Sequence, residues 1–264
     1  MIRRQCLVTG ASAGIGAAFA RIYASHGYNV VLTARRGERL ERLAEEIRLR
    51  FGVETLTIAA DLSDTAAVDA LLADVGANGL VIDALVNNAG YALTGGYGAS
   101  RWEDQRAMLQ VMLVAVCELT HRLLPGMVER GFGRIVNVAS LAGLSPGAAG
   151  QTLYAATKAF LVRFSESLHQ ETLDQGVHVS ALCPGYTYSE FHDVNHSRAE
   201  TSRRAPPWLW MGPDEVAAAG YEAVEANRAI CVPGAPNKAL AAAAKLLPED
   251  WTLALMAREA GRVR

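Results

Sequence analysis

The chain has 264 residues, which is long enough for one large α/β domain with its own hydrophobic core. Apolar residues make up 51% of it, a share typical of globular enzymes and too high for a disordered chain. The formal net charge of -2 predicts no strong attraction to nucleic acid or to a membrane surface.

The N-terminal residues and the cysteines indicate the compartment. Residues 1–6 lack the long apolar core of a signal peptide, and no uninterrupted apolar run is long enough to span a bilayer. The four cysteines are scattered without metal-ligand spacing, as is typical of free thiols in a reducing compartment. We therefore expect a cytoplasmic protein with no bound metal and no membrane segment.

A glycine-rich turn follows the first predicted strand, at residues 6–8, and precedes a predicted helix. Gly10 permits a tight turn because it has no Cβ, Gly14 lets a ligand approach the backbone, and Gly16 lets the helix pack on the strand. The N–H groups and dipole of the first helical turn then suit a pyrophosphate. A second strand at 28–33 completes a βαβ unit of the dinucleotide-binding type, although glycines that serve only a tight turn are the alternative. The predicted cofactor contacts here are Gly10, Ser12, Ala13, Gly14, Ile15 and Gly16.

The end of the second strand predicts which dinucleotide is bound. An acidic residue here would accept hydrogen bonds from a ribose 2′-hydroxyl, but Ala34 offers no acceptor side chain. Arg35 and Arg36 instead offer guanidinium groups that suit a 2′-phosphate, so NADP(H) is predicted over NAD(H). The alternative for both arginines is a solvated start of the helix predicted at 37–51.

Two further strand ends carry predicted cofactor contacts. Asp61 and Leu62 follow a strand at 55–59 and are expected near the adenine, with a helix cap as the alternative for Asp61. A strand at 84–86 leads into the short run that contains Asn88, Ala89 and Gly90. Small residues and amides there suit a closely approaching cofactor, with a bare turn as the alternative.

Candidate catalytic residues follow a long helix predicted at 101–128 and a strand at 134–138. Ser140 lies just past this strand, and parallel sheets bind ligands beyond the carboxyl ends of their strands. Tyr154 and Lys158 are four residues apart and share one face of a predicted helix. Because an ammonium favours a phenolate, Lys158 is expected to lower the pKa of Tyr154 from its usual value near ~10. Taken alone, such a pair is usually an ordinary surface pair.

The last third of the chain is predicted to complete the cofactor site and to cover the substrate. A strand at 178–183 runs into Pro184, Gly185 and Thr187. Residues 186–211 have low periodicity and are predicted to be a substrate loop. A helix at 214–226 and a strand at 229–232 follow, and the tail at 237–264 holds helical patterns at 238–247 and 249–258. No linker divides the chain, which predicts one domain over residues 1–264.

Together these motifs resemble the short-chain dehydrogenase/reductase family, over residues 5–235. The resemblance implies a Rossmann-like, doubly wound α/β domain of about seven parallel strands with helices on both faces. It also implies a homodimer or homotetramer. The resemblance rests on Thr9-Gly10-x-x-x-Gly14-Ile15-Gly16, Asn87-Asn88-Ala89-Gly90, Ser140, Tyr154-x-x-x-Lys158 and Pro184-Gly185.

The resemblance further implies hydride transfer between NADP(H) and a carbonyl or secondary alcohol, with a small-molecule substrate of apolar character. Tyr154 would be the general acid or base, and Ser140 would hold the carbonyl oxygen. Lys158 would lower the pKa of Tyr154 and bind the nicotinamide ribose. The segment 88–90 and Thr187 would line the cofactor.

One position departs from the family pattern. Alignment puts Met112 where the family usually has an asparagine, and a thioether cannot donate a hydrogen bond. Because the backbone carbonyl of Met112 remains, we expect a weakened proton relay. The alternative is a dinucleotide-binding protein with attenuated catalysis that acts as a redox sensor or interaction protein. A sugar-nucleotide epimerase of the extended type is disfavoured because too few residues follow Val232.

Overall fold

The computed structural model describes residues 3–93, 95–190, 206–248 and 251–254. Its strands are β1 Gln5–Thr9, β2 Asn29–Ala34, β3 Thr55–Ala59, β4 Ile82–Asn87, β5 Gly133–Val138, β6 Val177–Leu182 and β7 Ile230–Cys231. These seven strands form one sheet in the order β3-β2-β1-β4-β5-β6-β7, and every neighbouring pair is parallel. The order reverses between β1 and β4, and doubly wound sheets bind ligands in the crevice at such a point.

Helices cover both faces of the sheet, because successive strand residues point to opposite sides and both sides are apolar. The helices are α1 Gly14–Ser25, α2 Gly37–Phe51, α3 Ala67–Ala77, α4 Trp102–Leu109, α5 Ala115–Glu129, α6 Thr152–Glu171, α7 Pro213–Glu225 and α8 Ala235–Leu246. In β1, Cys6 and Val8 face a core shared with α1, α2 and α7, whereas Leu7 faces a core shared with α3 to α6. The prediction of a doubly wound, seven-stranded α/β fold is confirmed.

The long helix predicted at 101–128 is one helix over Trp102–Glu129, in which α4 and α5 are joined by the π-helical segment Gln110–Val114. By length and composition this 28-residue helix could cross a membrane, since an 18-residue window within it has a mean hydropathy of 1.5. Buried residues such as Met108 and Leu119 pack into the core beside the strands, as in the core helix of a globular fold. Single π turns inside α-helices are frequent at functional sites.

Backbone pairing holds together the two sides of the predicted substrate loop. The Tyr188 N–H donates to the Met211 carbonyl at 3.0 Å, and the Met211 N–H donates to the Tyr186 carbonyl at 3.0 Å. The Trp210 ring stacks on both tyrosine rings, with centroids 5.4 and 4.9 Å apart. Residues 191–205 of the loop, and 249–250 and 255–264 of the predicted tail, lie outside the described residues. The division into one domain, a loop and a tail stays a prediction.

Candidate active site

The glycine-rich turn between β1 and α1 has the backbone that its sequence predicts. Gly10 and Gly14 have φ values of 66° and 55°, in the left-handed region that favours glycine. A Cβ on Gly16 would lie 2.4 Å from the Gly10 carbonyl oxygen and 2.5 Å from the Asn88 amide nitrogen. Gly16 is therefore required for the start of α1 to pack against the turn. Ser12, Ala13 and the partly buried Ile15 belong to the same turn.

Residues just past the end of β4 fix the glycine-rich turn through hydrogen bonds. The Asn88 side-chain amide donates to the carbonyls of Thr9 and Gly10 at 2.9 and 3.2 Å. The backbone N–H groups of Asn88 and Ala89 donate to the Thr9 hydroxyl at 2.9 and 3.0 Å. The side chain of Asn88 thus fixes the glycine turn, while Ala89 and Gly90 continue along the sheet edge. The direct cofactor contact predicted for Asn88 stays a prediction.

Arginines past the end of β2 form an exposed charged rim beside the turn. Arg36 donates to the Ser12 hydroxyl at 3.0 Å and to the Glu190 carboxylate at 3.0 Å. Arg39 donates to both oxygens of the same carboxylate, at 2.6 and 2.7 Å. We call Ser12, Arg36, Arg39 and Glu190 the arginine rim. Of the two arginines predicted to bind a 2′-phosphate, only Arg36 belongs to this rim. The rim also contains Arg39, which the sequence analysis did not single out.

Arg35 follows the end of β2, and its charge acts on Asp61. Burial raises the pKa of the Asp61 carboxyl, but hydrogen bonds from the Ser63 N–H and hydroxyl, together with Arg35, hold that pKa below its usual value. Asp61 therefore caps a local turn, ahead of the start of α3 at Ala67. The Leu62 side chain is buried in the core.

Ser140, Tyr154 and Lys158 are brought together at the carboxyl end of β5. The Ser140 hydroxyl is hydrogen-bonded to the Tyr154 phenol and also accepts from the Ala142 N–H at 3.1 Å. The buried Lys158 ammonium lies 5.7 Å from the centroid of the Tyr154 ring. It donates to the carbonyl of Val138, the last residue of β5, at 2.7 Å. Strand and helix thus hold an acid, a hydroxyl and a cation together.

The pKa values in this cluster correct one expectation. Burial raises the pKa of Tyr154 to about 12, and the hydrogen bond from Ser140 opposes that rise without cancelling it. Burial also lowers the pKa of Lys158 to about 8. The expectation that Lys158 lowers the tyrosine pKa below its usual value is therefore wrong for this arrangement. Burial is the largest cause of the raised pKa of Tyr154, and the Lys158 ammonium donates to the Val138 carbonyl.

Two residues that sequence reasoning missed set this geometry. A Cβ on Gly143 would lie 2.5 Å from the carbonyl carbon of Lys158, so only glycine lets the turn after Ser140 press against α6. Below the site, the buried Asn137 accepts from the Asn87 amide at 2.8 Å and donates to the Ser165 hydroxyl at 2.9 Å. This buried chain ties β4 and β5 to α6. In the sequence, only the position of Gly143 three residues after Ser140 could have indicated this packing role.

Met112 lies within the π-helical segment and is 1% exposed. Its side chain packs against the backbone of Gly90, where an added Cβ would lie 3.5–3.6 Å from three of its atoms. The thioether thus lies beside the predicted cofactor-lining segment. This packing is consistent with the alignment that puts Met112 at the usual asparagine position.

The segment after β6 runs back toward the glycine turn. Leu141 donates its N–H to the Pro184 carbonyl at 2.9 Å, and the Thr187 hydroxyl donates to the Gly185 carbonyl at 3.2 Å. A Cβ on Gly185 would lie 2.5 Å from the side-chain oxygen of Asn237, which is buried at the start of α8. Gly185 therefore admits α8, a packing role that the sequence pattern did not indicate.

Comparison with known proteins identifies the family. The short chain dehydrogenase family model matches residues 4–200. The chain belongs to the short-chain dehydrogenase family. Among its relatives, nodulation protein G of Rhizobium sp. (strain N33) is 37% identical over 232 residues, which cover 88% of this chain and 93% of that protein. NADP-dependent 3-hydroxy acid dehydrogenase YdfG of Salmonella typhi is 40% identical over 181 residues, which cover 68% of this chain and 71% of that protein.

Solved structures agree with this assignment. A short-chain dehydrogenase from Sphingobium yanoikuyae in complex with NADPH is 30% identical, with a TM-score of 0.79 over 98% of this chain and 95% of that chain. A structure described for 7beta-hydroxysteroid dehydrogenase stereoselectivity has a TM-score of 0.84 at 28% identity, over 96% of each chain. The predictions of the family, of the fold and of an oxidoreductase are confirmed. The roles of the individual site residues stay predictions.

Proposed function

We propose that this short-chain dehydrogenase transfers a hydride between NADP(H) and a carbonyl or secondary alcohol, with Tyr154 as the general acid or base. The observation that carries the proposal is the cluster at the end of β5. There the Tyr154 phenol is hydrogen-bonded to Ser140, and the Lys158 ammonium lies 5.7 Å from its ring. The NADPH-bound structural neighbour and the NADP-dependent relative support NADP(H) as the cofactor.

The residues present fit a dinucleotide. A glycine turn with two left-handed residues opens α1, whose first N–H groups suit a pyrophosphate. Guanidinium groups at the β2 end suit a 2′-phosphate. When bound, NADP(H) supplies or accepts the hydride. Thr187 and the segment 88–90 would line it, and Lys158 would hold its ribose.

Side chains of this protein would supply the proton that the carbonyl oxygen takes up during reduction. With its pKa raised to about 12, Tyr154 stays protonated at neutral pH and is ready to donate to a carbonyl oxygen that gains negative charge. The Ser140 hydroxyl would bind the same oxygen and stabilise that charge. Protonated Lys158 lies close enough to stabilise the phenolate left behind.

A small cavity of about 30 Å³ lies beside Tyr154, and both apolar residues such as Leu93 and Met108 and polar residues such as Gln105 and Gln151 line it. The apolar character of the substrate stays a prediction. The assembly into a homodimer or homotetramer, and the cytoplasmic location, stay predictions.

The test is a screen for NADPH oxidation over ketones, aldehydes and steroids, repeated with Tyr154→Phe. Removal of a general acid costs a factor of about 10³, so turnover should fall by that much. The Kd for NADPH should change by less than about twofold, because the ring remains. Tyr221→Phe is the control, since Tyr221 packs on α1 through His26, away from the cluster.

The outcomes separate the two functions. Parent-like turnover in Tyr154→Phe would refute the assigned acid. Tight NADPH binding without turnover on any substrate would favour the alternative of a redox sensor or interaction protein. The buried thioether of Met112 at the usual asparagine position is the observation that supports that alternative.

A further inference from the structure

A carboxylate from a distant part of the chain lies between two arginines of the predicted cofactor site. Glu190 pairs with Arg36 at 3.0 Å and with Arg39 at 2.6 Å, although these arginines precede it by more than 150 residues. Arg36 also donates to Ser12, inside the glycine turn. Because Arg36 and Arg39 are three apart at the start of α2, both side chains can reach one anion.

The backbone that carries Glu190 lies directly against the glycine turn. An added Cβ on Gly14 would lie 2.9 Å from the Cβ of Ser189, the residue before Glu190. Tyr188, one residue earlier, is tied to Met211 through its N–H. The position of Glu190 therefore follows from an anchored backbone as well as from its own ion pairs.

We propose that Glu190 competes with the cofactor 2′-phosphate for Arg36 and Arg39. A carboxylate and a phosphate both accept bidentate hydrogen bonds from guanidinium groups, so one set of donors serves either anion. The two anions repel each other and cannot share the donors at full strength. Glu190 thus sets how tightly the enzyme binds NADP(H). This inference rests on the proposed function.

The exposure of the arginine rim sets the size of the effect. The side chains of Arg36, Arg39 and Glu190 are 40–43% exposed, so each ion pair is partly screened by water and salt. Exposed pairs of this kind each change affinity by a factor of a few. Two pairs with one carboxylate predict a change of about three- to tenfold when its charge is removed.

The experiment measures the Kd of Glu190→Gln for NADPH, NADH and the probe adenosine 2′,5′-bisphosphate by titration calorimetry. We expect NADPH and the bisphosphate to bind about three- to tenfold tighter than in the parent. NADH should bind with its parent affinity, because it lacks the 2′-phosphate. The gain should shrink at high salt.

Glu38→Gln is the matched control. Glu38 lies on α2, as does Arg39, and pairs with Arg42 at 3.7 Å. Its substitution therefore removes one negative charge, as Glu190→Gln does, without freeing Arg36 or Arg39. The control should change the NADPH affinity by less than about twofold. Glu190→Gln in an Arg39→Ala background should lose most of its gain, because one of the two contested donors is gone.

Unchanged or weaker NADPH binding in Glu190→Gln would overturn the proposal, since weaker binding would mean that the carboxylate organises the arginines for the phosphate. An equal gain for NADH would also overturn it. The proposed function fails differently: the parent itself would bind no NADPH, or would turn over no substrate while the Glu190→Gln comparison still held.

Discussion

The cluster formed by Ser140, Tyr154 and Lys158 lies at the same edge of the sheet as the arginine rim, but the two are built in opposite ways. Lys158 is 6% exposed and is held by a strand carbonyl, whereas Arg36 and Arg39 are more than two-fifths exposed and are held by another side chain. Burial shifts the pKa values of Tyr154 and Lys158 strongly. In the rim, the pKa of Glu190 is lowered chiefly by its hydrogen bond to Arg39.

This difference in burial indicates which residues set the reaction rate and which set the affinity for the cofactor. Groups fixed in a low-dielectric site act strongly on a transition state because they need little reorganisation. Exposed ion pairs act weakly and reversibly, so they suit an exchange between an internal carboxylate and a bound phosphate. We therefore expect substitutions in the cluster to change kcat and substitutions in the rim to change Kd.

Among the substitutions that test this contrast between kcat and Kd, the largest effect is expected for Lys158→Met. The substitution keeps the length of the side chain but removes the cation beside Tyr154, so kcat should fall about 100-fold, the usual cost of one lost electrostatic donor. Steady-state and single-turnover kinetics with NADPH would measure this. A variant with parent-like kcat would break the contrast.

The same variant gives a pH test of burial. Burial lowers the pKa of Lys158 to about 8 in the folded state, below its ordinary value of 10.5, so the unfolded state binds more protons between these two pH values. The desolvation penalty is fully present below pH 8 and is relieved as the pH rises toward 10.5. The stability of the parent relative to Lys158→Met should therefore rise from about pH 8 to about pH 10, as measured by urea unfolding. A flat difference would show that the ammonium is hydrated.

A smaller effect is expected for Gly143→Ala. The added Cβ would meet the Lys158 backbone at 2.5 Å, so the turn that carries Ser140 must shift away from Tyr154. We expect kcat to fall about tenfold, because misplacement of a catalytic group costs rate, while the Kd for NADPH is kept. In the same loop, Gly147→Ala is the control, because its Cβ would meet no described atom within 4 Å. Equal losses in both variants would point to a general destabilisation.

The smallest effect is expected for Met112→Asn. Because the missing amide is expected to weaken the proton relay, its return should raise kcat about threefold or more. Burying an amide here should also cost about 1–3 kcal/mol of unfolding free energy. Met112→Leu keeps the volume and should leave kcat unchanged. No change in the asparagine variant would show that this side chain plays no part in the relay.

Local pattern predicted the regular elements well. The bounds of α2 and β3 match the predicted 37–51 and 55–59, because each has clear periodicity or a β-branched run between breakers. The glycine turn and the Tyr154–Lys158 pair were likewise visible, since their spacing is local. Helix α3 was not predicted as an element, because its alanine-rich sequence has little contrast between its faces.

Features that depend on the tertiary fold could not be predicted in this way. The raised pKa of Tyr154 comes from desolvation, which no spacing reveals. The contact of Glu190 with Arg39 spans 151 residues and depends on where the segment after β6 returns to the turn. The close approach of Asn237 to Gly185 likewise requires α8 to be in place.

The paired backbone at Tyr186, Tyr188 and Met211 has a consequence for how such an enzyme diversifies. Both ends of the intervening chain are fastened to each other by two reciprocal hydrogen bonds. Loop-closure entropy grows only slowly with length, so insertions between these paired residues are expected to cost little free energy. Such insertions would leave the bridge between Thr187 and Met211 in place.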